Sequence, residues 1–394
     1  MKFIYATPLS EALQIIKDNF NIDSYLITMP LSYARGKICA RDIYSRIDIP
    51  SFDKAVVDGY ALRSEDTLGA SDSIPSLLTL KGEVRMGEYP GFSLSPGECA
   101  YIPTGGALPQ GANAVAMIEH TDKTGDLVCL YKPHALYENV TRIGDDIRKG
   151  DLIIPKHTKL SAFELGLLAG AGEREAQVFS PAAYIISTGD ELEKGDTLGA
   201  AKIFDSNGEM LSAMLADKGG AEAGREQVRD NPEELAAAIQ RGIDIADWVI
   251  ITGGSSVGEK DFTLNCIESM GGKILIKGLA IKPGKPTIIA SLQGKPVFGL
   301  SGNPVSAAVA FLLLAPALLP CPKPKSVHIN AGINFPSSPG RTTFQPVKIE
   351  GGLVYPLLGK SGILSALTMA DGYILIDKKT EGIYQGEDVE VFLF

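Results

Sequence analysis

The sequence is poor in the residues that build zinc sites and disulfide frameworks. Its 394 residues include only five cysteines and four histidines, scattered along the chain. No two cysteines have C-x-x-C spacing, and no H-E-x-x-H motif occurs, which argues against a zinc site. An odd number of separated cysteines is typical of reduced, buried thiols. We therefore expect a cytoplasmic protein.

Long apolar segments are missing as well. The longest one, residues 307–319, is interrupted by Pro316 and is shorter than the roughly 20 residues that span a bilayer. We expect it to form a buried core helix. Residues 3–6 are too short an apolar stretch for the h-region of a signal peptide. The sequence therefore predicts no association with a membrane.

An excess of positive charge is also lacking. Lys and Arg number 37 against 47 Asp and Glu, a net charge of -10. A general nucleic-acid binder carries the opposite sign, so we expect no nucleic-acid partner. An anionic ligand would need a locally basic pocket or a metal ion. The contents of hydrophobic residues, 45%, and of charged residues, 21%, are ordinary for a soluble globular protein.

The chain length favours two to four domains. Residues 182–319 alternate apolar strands with helices, which predicts a doubly wound parallel sheet covered on both faces. Short strands with Gly and Pro turns predict a small β domain inserted upstream and a barrel or sandwich at the end of the chain. The boundaries we expect are 1–46 with 141–178 for a discontinuous first domain, 47–140 for the insertion, 179–323 for the α/β domain and 324–394 for the last.

The most informative segment is residues 247–261. Its apolar strand, residues 248–252, leads into a loop of small residues, which are Gly253, Gly254, Ser255, Ser256 and Gly258. Such a loop lets backbone N–H groups approach an anion closely. Asp261 follows at the start of a helical pattern, and a carboxylate beside a phosphate is a common ligand of a divalent cation. The segment predicts a site for a phosphate and a metal at the end of a buried strand.

Two more loops share this composition, residues 187–192 and 300–304. Ligands of open parallel sheets bind beyond the carboxyl ends of the strands, where these loops should meet. The candidates there are Thr188, Gly189, Glu191, Asp230, Gly302, Asn303 and Pro304. Each loop alone could be a tight connection, and each carboxylate alone a helix cap. The glycines lack the Lys-Ser/Thr ending of a Walker motif, and no G-x-G-x-x-G occurs.

Residues 281–286 add local positive charge. Two prolines stiffen this segment, so Lys282 and Lys285 could be held toward an anion rather than turned to solvent. Composition alone leaves a solvated basic turn equally open.

Taken in order, the motifs resemble the molybdopterin molybdenumtransferase family over nearly the whole chain. The matching segments are Phe52-Asp53 with Asp58-Gly59-Tyr60-Ala61, Thr104-Gly105 with Pro109 and Gly111-Ala112, Gly144-Asp145-Asp146-Ile147, residues 187–192, Asp205-Ser206-Asn207, residues 253–261, residues 282–286 and residues 302–306. The chain departs from the family at Ala55, Thr141 and Ser301, where Ser, Arg and Pro are usual.

The resemblance implies an elongated homodimer of four-domain subunits with a C-terminal β-barrel. It implies that molybdate and adenylylated molybdopterin are the substrates, that Mg²⁺ assists and that AMP is released. Glu191, Asp230 and Asp261 would hold Mg²⁺, the glycine-rich loops and the two lysines would bind phosphate, and Asp58, Thr104 and Asp146 would line the cleft from other domains. A contact with the molybdopterin adenylyltransferase would follow. Two alternatives stay open, a non-catalytic scaffold that binds pterin or peptide and a tungstate-inserting paralogue.

Overall fold

The computed structural model describes residues 6–21, 25–253, 260–319, 322–357 and 364–394, the side chains of residues 260 and 261 excepted. The chain separates into two compact units. The first consists of Met1–Arg41, Lys156–Ala162 and Glu175–Phe394, and the second of Asp42–Pro155 and Phe163–Arg174.

A six-stranded mixed sheet is the centre of the first unit. Its strands lie in the order Ala221–Val228, Ala182–Thr188, Trp248–Gly253, Lys295–Leu300, Ile288–Leu292 and Lys273–Lys277. The first four are mutually parallel. They are almost wholly apolar apart from the edge strand, as expected of strands covered on both faces.

The remaining edge of this sheet differs from the expected parallel arrangement. The edge strand Lys273–Lys277 pairs antiparallel with Ile288–Leu292. The sequence pattern did not predict this second strand. This second strand in turn forms a hairpin with Lys295–Leu300. Gln293 and Gly294 make its two-residue turn, both with positive φ, the backbone of a primed hairpin turn.

Helices cover both faces of the sheet, as a doubly wound fold requires. Ser206–Asp217 and Pro304–Leu314 pack on one face, and Pro232–Ile245 packs on the other with Lys260–Ser269. The apolar segment at 307–319 becomes the second of these helices and a short 3₁₀ turn, Ala315–Ala317. Trp248 anchors the first face, with its ring 5.1 Å from that of Phe298.

The C-terminal strands form a closed five-stranded barrel. Thr342–Glu350 pairs with both Leu353–Pro356 and Gly372–Ile376, and the circle closes through Ser326–Ala331 and Asp388–Leu393. The sequence pattern did not predict the strand Ser326–Ala331, which pairs with Leu353–Pro356 on one side and with Asp388–Leu393 on the other. Closure leaves these five strands without a free edge. Ile281–Lys282 adds a short parallel pairing outside the circle.

Smaller elements complete the first unit. The helix Leu9–Asn19 buries Ala12 and Ile16 against the sheet's core. A three-stranded sheet consists of Leu26–Pro30, Glu175–Phe179 and Ile38–Cys39. The other elements are Leu31–Tyr33 (3₁₀), the strand pairs Leu192–Glu193 with Ile203–Phe204 and Phe335–Pro336 with Gly382–Ile383, and the helix Ser365–Met369.

The second unit is built on another six-stranded sheet. Its strands follow the order Ala114–Met117, Gly59–Leu62, Glu98–Ile102, Ser76–Glu83, Leu127–Leu130 and Thr121–Thr124. Lys54–Ala55 pairs with Val140–Thr141, and Ile43–Tyr44 pairs with Leu152–Ile154. Two 3₁₀ turns, Ser64–Thr67 and Ile118–His120, and the helix Ala162–Gly170 complete it. In the described part of the chain, no helix is long and apolar enough to cross a membrane.

Candidate functional site

Three parallel strands of the α/β sheet end side by side, and their loops form the candidate site. Thr188 is in register with Gly253, and Thr252 is in register with Leu300. The carboxyl ends therefore lie at one edge of the sheet, the usual place for a ligand in this architecture. Among the described residues, the structure brings together Thr188, Gly253 and Gly302, one from each of the three loops that were singled out from the sequence.

Asn207 connects two of these loops to a helix. Its side-chain Nδ2 donates hydrogen bonds to Thr252 Oγ1 at 2.7 Å and to the carbonyl oxygen of Gly302 at 2.9 Å. Thr252 Oγ1 in turn donates to the carbonyl oxygen of Ser301 at 3.1 Å. Asp205 caps the same helix by accepting the N–H of Gly208 at 2.9 Å. The start of this helix is thus fixed against the ends of two strands.

Two glycines allow these loops to approach each other. Gly253 has a φ of 107°, and a Cβ there would lie 1.9 Å from the carbonyl oxygen of Thr188. A Cβ on Gly302 would lie 3.3 Å from Gly253 Cα. Backbone from all three loops therefore meets where side chains have no room, which is the requirement of a close ligand approach.

Asp230 is held at the first loop on the opposite face of the sheet. Its Oδ1 accepts a hydrogen bond from Thr188 Oγ1 at 2.8 Å, and its Oδ2 faces the N–H of Asp190 at 3.4 Å. The neighbouring Asn231 caps the helix Pro232–Ile245, accepting the N–H groups of Glu233 and Glu234. Because Asn231 does the capping, the carboxylate of Asp230 is not needed for that purpose.

Glu191 folds back over the first loop. A Cβ on Gly189 would lie within 2.7 Å of both Glu191 carboxylate oxygens. The ammonium of Lys202 donates to the carbonyl oxygen of Asp190. Glu191 and Asp190 are exposed, while Gly189 is buried. The carboxylate of Glu191 on this loop and that of Asp230, bonded to Thr188, thus both lie near the end of the strand Ala182–Thr188.

In the third loop, side chains accept some of the loop's own backbone N–H groups. Ser301 Oγ accepts the N–H of Asn303 at 3.2 Å, and Asn303 Oδ1 accepts the N–H of Ser306 at 3.0 Å. Pro304 stands at the first position of the helix and has no N–H to offer. Internal capping therefore satisfies two backbone donors that an anion could otherwise have used.

The two lysines lie on either side of a turn that is close to this helix. A Cβ on Gly284 would be 3.4 Å from the carbonyl oxygen of Ser306. Lys282 is exposed and donates to Ser338 Oγ at 2.6 Å, so its ammonium lies beside the C-terminal domain. Lys285 is half-buried, and its carbonyl oxygen accepts the N–H groups of Leu279 and Thr287. Their role toward a phosphate stays a prediction.

Part of the predicted second loop lies outside the described residues, namely Gly254, Ser255, Ser256 and Gly258. Asp261 belongs by its backbone to the helix Lys260–Ser269, directly after this loop. Its side chain is not described, and its role as a carboxylate linked to a metal stays a prediction.

The second unit brings two of its predicted residues into contact. Asp58 Oδ1 accepts hydrogen bonds from the backbone N–H of Thr104 at 2.6 Å and from Thr104 Oγ1 at 2.9 Å. These bonds, the backbone one first, hold the pKa of Asp58 below its ordinary value. Asp146 is exposed, and its N–H donates to the carbonyl oxygen of Ile49 at 3.1 Å.

Sequence reasoning did not select four residues that build the site. Ser187, Asn207, Thr252 and Ser301 lie within quoted motifs but were not assigned roles. All are buried polar residues at the carboxyl ends of apolar strands or at a helix start. That combination is the signal that could have found them, because a buried polar group needs a partner.

Comparisons with known proteins agree along the whole chain. Residues 7–172 match the MoeA N-terminal region (domains I and II), residues 184–320 match a model described as a probable molybdopterin binding domain, and residues 329–394 match the MoeA C-terminal region (domain IV). A molybdopterin molybdenumtransferase of Staphylococcus aureus is 31% identical over 98% of this chain and 95% of its own length. The chain belongs to the molybdopterin molybdenumtransferase family.

Two other relatives of this molybdenumtransferase family member are closely similar. A molybdopterin biosynthesis protein of Methanocaldococcus jannaschii is 37% identical over 91% of this chain and 90% of its own length. The crystal structure of the MoeA molybdopterin biosynthesis protein from Pyrococcus horikoshii superposes with a TM-score of 0.82 and 38% identity, covering 99% of both chains. The predicted fold class is confirmed, and the four-domain boundaries stay a prediction.

Proposed function

We propose that this molybdenumtransferase family member inserts molybdenum from molybdate into adenylylated molybdopterin and releases AMP with the help of Mg²⁺. The observation that carries the proposal is the meeting of three loops at one sheet edge. Bare backbone at Gly253 and Gly302 lies there, and Asp230 is hydrogen-bonded to Thr188, the residue in register with Gly253. Family membership and the molybdopterin-binding match over residues 184–320 support the choice of substrate.

The carboxylates fit Mg²⁺ by their chemistry. This ion prefers oxygen ligands, keeps several of its waters and is usually held by only one or two carboxylates together with substrate phosphates. Asp230 meets that description because Thr188 donates a hydrogen bond that fixes its carboxylate, and because Asn231, not Asp230, caps the following helix. Glu191 lies on the loop after Ala182–Thr188, the strand to which Asp230 is hydrogen-bonded, and Asp261 is the second residue of the helix Lys260–Ser269. When bound, Mg²⁺ would neutralise charge on the pyrophosphate.

The protein's own groups would bind and orient the substrate. Gly253 and Gly302 let the substrate's phosphates approach backbone N–H groups. Lys282 and Lys285 supply positive charge in a protein whose net charge is -10. Hydrogen bonds from Asn207 hold Thr252, at the end of its strand, and Gly302 in place before the substrate arrives. We also propose that the protein acts as a homodimer, as the family resemblance implied.

The test is an assay of AMP release by the purified protein. Adenylylated molybdopterin is supplied together with molybdate and Mg²⁺. Molybdate is omitted from one control reaction and Mg²⁺ from another. We expect release that depends on both, with a known molybdenumtransferase active alongside. Failure of this protein in the same assay would reject the proposal and favour a non-catalytic role.

A further inference from the structure

Two polar atoms at the site edge are buried yet have no hydrogen-bond partner among the described residues, Ser187 Oγ and Asn207 Oδ1. Ser187 is 1% exposed and Asn207 is 8% exposed. A buried polar group without a partner costs stability, so such atoms are rare in folded proteins. Two of them beside one ligand-binding edge call for an explanation.

Both atoms flank the same residue on the same face of the sheet. Ser187 is in register with Thr252 on the neighbouring parallel strand, and Asn207 donates to Thr252 Oγ1. Side chains that are in register on adjacent strands point to the same face. That face is the one covered by Ser206–Asp217 and Pro304–Leu314, since Ile185 and Ile250 belong to their core. The two atoms thus lie on one face of the sheet next to Thr252, and we call this part of the site edge the corner.

The orientation of the Asn207 amide is determined by its partners. Gly302 offers a carbonyl oxygen, which can only accept, so the nitrogen of the amide must face it. The oxygen, Oδ1, is therefore the amide atom that neither Thr252 nor Gly302 binds. It can accept a hydrogen bond but cannot donate one. The hydroxyl of Ser187 can do either.

This corner selects the chemistry of what it can hold. Molybdate and ionised phosphate offer only acceptors, so neither can satisfy Asn207 Oδ1. A heterocycle with N–H groups beside a carbonyl can satisfy both atoms, by donating to Asn207 and by accepting from or donating to Ser187. The pterin ring has such an edge, and the adenine ring has an amino group.

We propose that Asn207 Oδ1 and Ser187 Oγ bind the N–H-bearing edge of the substrate's pterin ring, while the phosphate binds at the glycine-rich backbone. The assignment rests on the proposed function, because that function supplies the pterin. It adds two substrate-contacting residues and places the ring on the Asn207 side of the sheet, away from Asp230.

Ser187→Ala is the decisive variant, because it deletes a hydroxyl that no described residue uses. If this hydroxyl binds no ligand, its removal should leave the affinity for molybdopterin unchanged. We expect the melting temperature of the free protein to stay the same or rise. The dissociation constant for molybdopterin, measured by anaerobic equilibrium titration, should increase about tenfold, the effect of one lost hydrogen bond. The dissociation constant for AMP should not change.

Thr263→Val is the matched control. Thr263 Oγ1 is also buried without a partner in the described part of the chain, but it belongs to the helix Lys260–Ser269, which packs on the other face of the sheet. We expect both dissociation constants to remain at the wild-type value in this variant.

Three results would overturn the assignment. Unchanged molybdopterin affinity in Ser187→Ala removes the contact. Weakened AMP binding with normal molybdopterin binding places adenine in the corner instead. A lower melting temperature with both ligands weakened identifies a structural role. If the wild-type protein releases AMP while Ser187→Ala binds normally, only this inference fails. If no AMP is released while the affinity still depends on Ser187, only the proposed reaction fails.

Discussion

Asn207 Nδ2 lies 2.7 Å from Thr252 Oγ1 and joins the first turn of a helix to the end of a central strand. The same nitrogen contacts the carbonyl oxygen of Gly302 in the next loop. One side chain therefore sets the spacing of Thr252 and Gly302 at the edge that we propose to be in contact with the substrate. Rigid support of this kind is what allows a site to be formed before its ligand binds.

Thr252→Val should destabilise the protein because it breaks two buried hydrogen bonds, one accepted from Asn207 and one donated to Ser301. We expect a loss of about 1–3 kcal/mol in the free energy of unfolding. Urea denaturation measures this as a lower midpoint at constant slope. Thr263→Val, which breaks no such bond, should leave the midpoint unchanged or raise it. Equal midpoints for the two variants would show that the Asn207 contacts contribute little.

Gly253→Ala should be far more damaging than the same change at another glycine of similar backbone. At Gly253 the added methyl meets the carbonyl oxygen of Thr188 at 1.9 Å, whereas at Gly271, with a φ of 82°, it meets nothing within 4 Å. Gly271→Ala should cost about 1–2 kcal/mol for its backbone conformation alone. Gly253→Ala should cost on the order of 3 kcal/mol or more. Similar unfolding free energies in the two variants would contradict the close packing of the loops.

Thr104→Val should raise the pKa of Asp58. The variant deletes the hydroxyl donor but keeps the backbone N–H, the larger cause of the lowered pKa, so the value should rise while staying below its ordinary one. A lowered pKa stabilises the fold above the pKa of the unfolded chain, and this contribution is lost as the pH falls through the folded value. Thr104→Val should therefore weaken the protein's resistance to acid. An NMR titration of Asp58 provides the measurement.

The control for this titration is Thr121→Val, which removes a hydroxyl that donates to a carbonyl oxygen, that of Ile118, and not to a carboxylate. The pKa of Asp58 should be the same in this variant as in the wild-type protein. A titration curve for Thr104→Val that overlays the wild-type curve would show that the hydroxyl does not influence Asp58.

Asp261→Asn should largely abolish turnover while leaving folding intact, because the change removes a negative charge that we propose to be linked to Mg²⁺ and keeps the shape of the side chain. AMP release measures the turnover, and the melting temperature monitors the fold. Asp244→Asn, on an exposed helix position, serves as the matched control and should retain wild-type turnover. Near-normal activity in Asp261→Asn would remove this residue from the catalytic set.

Much of the fold followed from local patterns. Apolar, non-alternating segments such as residues 248–252 predicted buried parallel strands, and the helix that begins at Pro232 carried its cap and its proline in the sequence. The strand Ile288–Leu292 was missed because its turn, Gln293-Gly294, lacks the usual Asn-Gly signal. Ser326–Ala331 was missed because it is largely exposed and has polar residues on one face. Its place in the barrel depends on partners that are distant in the sequence.

The candidate site was predictable in position but not in its connections. Parallel strands end at one edge, so the meeting of the three loops could be expected from their sequence positions. The pairing of polar atoms could not be expected from the sequence, because the bonds from Asn207 span 45 residues to Thr252 and 95 residues to Gly302. Lys282 shows the same limit, since its partner Ser338 lies in another predicted domain.

One reaction tests most directly whether this protein couples metal insertion to AMP release. Purified protein is incubated with adenylylated molybdopterin, molybdate and Mg²⁺, and both AMP and molybdenum bound to molybdopterin are quantified over time. The proposed function predicts that the two products form in equal amounts and that neither forms without molybdate. Release of AMP with no molybdenum in the pterin product, or the absence of both products beside an active control enzyme, would contradict it.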